Sequence, residues 1–149
     1  MEERSLSVIR ISVRNLVEFV LRSGDLDNRR TAGAKKEAMQ AGGRLHRKIQ
    51  KRMGSEYRAE VSLKHTVDEE EFKLLVEGRA DGVIEEAAGC VIDEIKCIYM
   101  DLKYLEDADP VHLAQAKCYA YFLACDRELA AMGVQITYCN IESEEVRRF

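Results

Sequence analysis

The chain has 149 residues, 46% hydrophobic and 34% charged, with a formal net charge of −4. That is enough chain for one domain with a packed core, and no apolar run approaches the ~18 residues of a membrane span. The opening MEERSLSVIR lacks the apolar stretch of a secretory leader, so a cytoplasmic protein with no membrane partner is expected. The charge is unevenly spread: residues 1–58 hold 14 basic against 7 acidic side chains, and residues 59–149 hold 9 against 20. The first half either meets a polyanion or carries solvated helices. Five cysteines, Cys90, Cys97, Cys118, Cys125 and Cys139, form no CxxC pair and fall mostly on apolar faces. They read as reduced core residues, and neither zinc nor a disulfide framework is indicated.

In chain order, Ser12 is placed to cap a helix in which Val13, Leu16, Val17, Val20 and Leu21 recur at helical spacing, with Gly24 where a C-terminal cap belongs. The polar GDLDNRRTAGAKK that follows reads as a loop. A second helix is predicted over 35–53, its inward stripe of Met39, Leu45, Ile49 and Met53 interrupted by Gly42 and Gly43. Each glycine costs ~1 kcal/mol relative to alanine in a helix interior, which points to close approach of another backbone or of a ligand. His46 lies beside the stripe and, taken alone, reads as a core or boundary histidine. Arg44, Arg47, Lys48, Lys51 and Arg52 crowd the helix flanks, either to contact phosphates or to solvate it. Residues 57–63 alternate Ala59, Val61 and Leu63 against Arg58, Glu60 and Ser62, as a strand does; Glu60 could sit near the hairpin at 78–96, but alternation alone favours a solvated face.

An acidic turn at 68–71 leads into FKLLV, a strand running on towards Gly78. The stretch GRADGVIEEAAGCVIDEIK, 78–96, then reads as two strands joined by a tight turn at Ala87, Ala88 and Gly89. Carboxylates inside apolar strands are costly to bury without compensation. Asp81 and Glu94 lie about equally far from the turn, so antiparallel pairing sets them opposite each other, and Glu94 shares a face with Lys96. Two carboxylates and an ammonium meeting on a sheet suit a hard divalent cation. The inference depends on register, because a slip of one residue moves Asp81 off the face of Glu94. Beyond Lys96, CIYMDLKYLEDAD is mixed helix and loop in character. Pro110, the single proline, opens a helix with an apolar face of Leu113, Ala116, Ala120 and Leu123, on which Gln115 and Tyr119, four apart, project together. After Gly133, VQITYCNI reads as a strand that joins the sheet parallel to one of its strands.

Four short motifs occur in order along these elements: GGRLH ending in His46, GRADG around Asp81, DEIK with Glu94, Ile95 and Lys96, and QAKCY with Gln115 and Tyr119. In this order they resemble the GxxxH, aspartate, E-x-K and QxxxY elements of the PD-(D/E)XK nuclease superfamily, in particular its RecB-like and Cas4-like exonuclease branch. The resemblance covers most of the chain from Gly42 to Tyr119; Ala80 stands where the family has a proline before its aspartate. It implies a restriction-endonuclease-like α/β fold, a mixed sheet flanked by helices, as a single nuclease-like domain over 1–149. The implied activity is that of a metal-dependent deoxyribonuclease, an exonuclease by branch, serving DNA repair, recombination or phage-related DNA processing. His46, Asp81, Glu94 and the main-chain carbonyl of Ile95 would hold Mg²⁺ or Mn²⁺. Lys96 would orient the attacking water or stabilise the anionic transition state. Gln115 and Tyr119 would position the DNA backbone or the metal shell, Glu60 would serve at most in an outer shell, and Arg44, Arg47, Lys48 and Lys51 would track phosphates.

Relatives that carry an iron-sulfur cluster hold it with one early cysteine and a late group of three. No cysteine precedes Cys90 here, so no iron-sulfur cluster is expected. The segments ISVRNLVEFVLRSGDLDNRR and VHLAQAKCYAYFLA are also similar to the nuclease-like region ahead of some bacterial superfamily-two DNA helicases. A helicase domain in the same parent chain is therefore an implied partner besides DNA. The alternative is a catalytically inactive nuclease fold that serves such a helicase as a DNA-binding or assembly module.

Overall fold

The computed structural model describes residues 6–21 and 32–149, with side chains from residue 36 onwards in the second segment. Its elements are β1 (Ser7–Ser12), α1 (Val13–Val20), α2 (Ala32–Arg52), β2 (Tyr57–Asp68), β3 (Phe72–Glu86), β4 (Gly89–Ile98), α3 (Pro110–Arg127), β5 (Gly133–Asn140) and β6 (Val146–Arg148), with a short 3-10 turn at Leu102–Tyr104. The six strands form one mixed sheet flanked by helices, as the sequence led us to expect. One face packs Val13 and Val17 of α1 and the buried side of α3 against Ala80, Val83, Ile92, Ile136 and Tyr138. The other carries α2, whose Leu45 and Ile49 pack on Ile95 and Cys139. No helix among the described residues is long and apolar enough to cross a membrane.

Ser12 caps α1 as predicted, its hydroxyl accepting from the Asn15 N–H at 3.1 Å. Asp109 does the same for α3 at the Val111 N–H, 2.8 Å, with Pro110 in the first turn. The Gly24 cap and most of the GDLDNRRTAGAKK loop fall outside the described residues, although the last of that segment already belongs to α2. Strands β1 and β6 had no counterpart in the sequence reading. Strand β1 is mostly exposed and pairs in parallel with residues far along the chain, and β6 is three residues long, so neither leaves a local pattern.

The sheet forks at its centre. Strand β2 pairs antiparallel with β3 from Lys73 to Ile84, while β1 pairs with Phe72 to Glu77 and β4 with Gly82 to Glu86. Because β2 overlaps both, β1 and β4 must share the opposite edge of β3, and residues 78–81 between them have no strand partner there. The β2 ladder also skips Glu60, whose φ of 57° is left-handed. The level of Asp81 is thus unpaired on both sides. Strict alternation breaks at the same place, since Val76, Ala80 and Val83 all enter one core although 80 and 83 differ by an odd step.

The register that the site requires is the one observed. Glu86 pairs with Gly89 across a two-residue loop of Ala87 and Ala88, and Gly82 pairs with Asp93, so Asp81 and Glu94 stand at the next level. A network on the opposite face locks it. Tyr57 on β2 reaches across β3, over Gly82, and its hydroxyl donates to Asp93 Oδ2 at 2.8 Å. Thr137 Oγ1 and Gln135 Nε2 on β5 donate to Asp93 Oδ1 at 2.6 and 3.2 Å. A side chain at position 82 would place its Cβ 2.0 Å from the Tyr57 ring, so only glycine lets the tyrosine cross. The crossover from β4 through α3 returns β5 parallel to β4, as predicted.

Candidate metal centre

His46, Asp81, Glu94, Lys96, Gln115 and Tyr119 come from four elements, α2, β3, β4 and α3. His46 projects from α2, and its Nε2 lies 2.9 Å from Asp81 Oδ1. The other carboxylate oxygen of Asp81 accepts from the Ile95 N–H at 2.6 Å, which ties the open end of β3 to β4. Of Ile95 the described contact is this N–H, not the carbonyl. Glu94 and Lys96 share a face of β4, with Lys96 Nζ 3.2 Å from Glu94 Oε1. Gln115 and Tyr119 both point into the protein from α3, and the Tyr119 hydroxyl lies so close to Gly78 that a side chain there would collide with it.

Glu60 is exposed, as alternation favours, and it also stands near the site: its backbone is left-handed and its Oε1 lies 4.0 Å from His46 Nδ1. One ligand atom each from His46, Glu60 and Asp81 fall within 4.8 Å of one another, so these three form a candidate metal-binding cluster. His46 is a partly exposed boundary side chain, one of the two places the sequence allowed it, and it is paired with a carboxylate. Gln50, one helical turn beyond His46, was missed. Its Nε2 donates both to Glu60 Oε1 at 2.9 Å and to the Asp81 carbonyl at 2.8 Å, satisfying the backbone acceptor that the fork strips of a strand partner. The four-residue spacing from His46 is the signal that would have found it.

The electrostatics are those of a site short of positive charge. The hydrogen bond to Asp81 pushes the His46 pKa up, with burial working against it. Burial, and then the charge of Asp81, push Glu94 up to about 7 in spite of Lys96 and His46. Glu94 is 6% exposed, and its Oε2 is buried without a hydrogen-bond partner. Gln115 Oε1 is in the same condition. Burial and the charge of Glu94 push the Tyr119 phenol up to about 12, which keeps it a donor. Buried polar atoms are nearly always paired, so an orphaned carboxylate oxygen beside a second carboxylate calls for a cation. The donors present are carboxylate oxygens and one imidazole, a set that suits a hard divalent ion such as Mg²⁺ or Mn²⁺.

The cluster opens into a cleft of about 1730 Å³ between α2 and the end of β4. Arg47 and Lys51 line it, whereas Lys48 is held outside by Glu144 at 2.9 Å, with Arg52 beside the same carboxylate at 3.7 Å, and Arg44 is exposed away from the lining. Of the basic residues named for phosphate contact, the structure thus brings two to the site and leaves two aside.

No protein-family profile matches the chain, and no curated protein does. Among solved structures it is similar to the crystal structure of SSO0001, with a TM-score of 0.61 and 18% sequence identity over 100% of this chain and 67% of that one. At that identity the likeness establishes the fold alone, a mixed sheet flanked by helices, and the chemistry rests on the residues that meet at the fork.

Proposed function

We propose that the chain is a metal-dependent deoxyribonuclease of the PD-(D/E)XK type, RecB-like, and an exonuclease that acts in the cytoplasm on DNA undergoing repair or recombination. One observation carries the reading: Glu94, nearly buried, has one oxygen on Lys96 and the other on nothing, next to the Asp81–His46 pair. An ion pair built only for stability would satisfy both oxygens, because buried charge seldom repays its desolvation otherwise.

Asp81, His46 and Glu60, whose ligand atoms gather within 4.8 Å of one another, would hold the ion, with Glu94 joining them from β4. A bound Mg²⁺ or Mn²⁺ supplies Lewis acidity at a phosphate oxygen and a lowered pKa for water. Lys96 presents a compact ammonium to charge that develops on the phosphate during attack, a contribution that grows in a water-poor site. Tyr119, kept protonated, and the buried Gln115 offer a hydroxyl and an amide to the DNA backbone or to the ion's surroundings. Asp81 stays in place through Ile95 and Gln50 whatever the substrate does. The similarity of two segments to a helicase-associated nuclease region makes a helicase domain of the parent chain a proposed partner.

End-labelled and circular DNA, incubated with Mg²⁺ and with Mn²⁺, test the reading. Cleavage of the ended substrate is expected, and Asp81→Ala should abolish it. Lys96→Ala should lower the rate at least ~100-fold, as loss of a transition-state charge contact does. Binding of DNA with no cleavage in either metal would leave the inactive helicase module as the function.

A further inference from the structure

We propose that the cleft is a track for one unpaired DNA strand and that Tyr99 is the shelf on which a base of that strand stacks. The proposal deepens the nuclease reading, on which it rests only for where the strand leads. Among the described residues outside the metal cluster, the charged side chains that line the cleft are all basic: Arg14, Arg47, Lys51, Arg79 and Lys96. Arg79 and Lys96 are engaged with Glu60 and Glu94, but Arg47 and Lys51 have no ion pair among the described residues. They are free to meet phosphates.

The aromatic element follows directly. Tyr99 and Met100, just past the end of β4 and three and four residues beyond Lys96, line the same cleft and are 53% and 47% exposed. Their backbone is nevertheless fixed. Asn140, 7% exposed, donates from Nδ2 to the carbonyls of Tyr99 and Met100 at 3.2 and 3.0 Å. Its Oδ1 accepts from the Glu142 and Ser143 N–H groups at 2.9 and 2.8 Å. A buried amide with its donors and acceptor engaged therefore anchors the backbone of a loop whose large side chains stay about half exposed. Such a platform gains its contacts from a ligand.

The glycines of α2 agree. A methyl at Gly42 would meet Cys97 Cβ at 3.6 Å and one at Gly43 the tip of Arg47 at 3.5 Å, both ordinary contacts. Packing within the protein therefore does not demand glycine at either position, although glycine weakens a helix interior. Both line the same cleft as Tyr99, and what they provide is a stretch of wall without side chains. A duplex hides the faces of its bases in its own stack. An exposed ring beside phosphate-binding cations is useful to a strand whose bases are unpaired.

Binding of a fluorescent thymidine oligonucleotide, of the same length with abasic positions, and of a blunt duplex, read by anisotropy in Ca²⁺ so that affinity is separated from cleavage, tests this. Tyr99→Ala should weaken binding of the thymidine strand about 10-fold or more, as loss of one base stack does, and Tyr99→Phe should restore it. The abasic strand and the duplex should not respond to either change. Gly43→Leu should weaken the thymidine strand while the melting temperature holds or rises. The proposal is overturned if the thymidine strand does not bind, if Tyr99→Ala leaves its affinity unchanged, or if duplex and abasic strand lose as much. Tyr99-dependent binding without cleavage in any metal would remove the nuclease reading and keep the track; cleavage indifferent to Tyr99 would do the reverse.

Discussion

Asp93 and Glu94 are neighbours in sequence, both nearly or fully buried, and their treatment by the fold is opposite. Asp93 is 0% exposed, and its two oxygens accept from the hydroxyls of Tyr57 and Thr137 and the amide of Gln135. Glu94, on the other face of the strand, has the ammonium of Lys96 on one oxygen and no donor on the other. A carboxylate surrounded by fixed donors is finished, and what it does is hold strands in register. One left partly unsatisfied, with another carboxylate pressing on it, is held ready for something the protein does not itself contain.

That contrast is open to direct attack, and the largest effect is expected on the finished side. Asp93→Ala strands the Tyr57 hydroxyl and the Thr137 hydroxyl in the interior, so urea denaturation should show a loss of about 3 kcal/mol. Glu94→Gln, by contrast, should leave the metal-free protein as stable as before or more so, and should remove divalent-ion binding by calorimetry. Equal destabilisation by both changes would erase the distinction.

A smaller effect separates the two residues by pH. Glu94 is raised from 4.5 to about 7 by burial and by Asp81, so between those values the folded state binds more protons than the unfolded one. Stability of the metal-free protein should therefore fall as pH rises through that window. His46 acts in the same direction: its pKa is raised from 6.5, so the stability it contributes is complete below that value and is lost at higher pH. Thermal melts from acid to neutral pH should show the decline, excess Mg²⁺ should shrink it, and Glu94→Gln should remove most of it. The smallest change is expected at Gln50. Gln50→Leu frees the Asp81 carbonyl and Glu60 from one shared donor, and should weaken Mn²⁺ affinity roughly 10-fold, as loss of a supporting hydrogen bond does, with the fold retained.

The hairpin and its register could be read from the sequence because both are local: a two-residue loop fixes which residues of β3 and β4 pair. The cap at Ser12, the proline-led α3 and the parallel return of β5 were legible for similar reasons. Glu60 was not, because alternation presumes a regular strand, and nothing in YRAEVSL announces a left-handed residue that only the fork explains. Nor was the role of Asp93, whose partners Tyr57, Gln135 and Thr137 lie 36, 42 and 44 residues away. DEIK reads as one acidic motif, and only tertiary structure divides its two carboxylates into one that is fully hydrogen-bonded and one that is not. Strand β1 escaped because an exposed parallel partner of distant residues has no signature of its own.

The fork in the sheet bears on how such a protein can change. Strand β1, which leads into α1 and its Arg14 at the cleft, touches only the first half of β3, and β4 touches only the second; β2 alone runs past both. Along the shared edge the two halves have no common ladder between Glu77 and Gly82, so a shift in the tilt or length of β1 need not displace Gly82, Asp93 or the carboxylates beside them. The cleft rim and the charge-bearing hairpin can thus drift at different rates, one free to be remodelled while the other keeps its geometry.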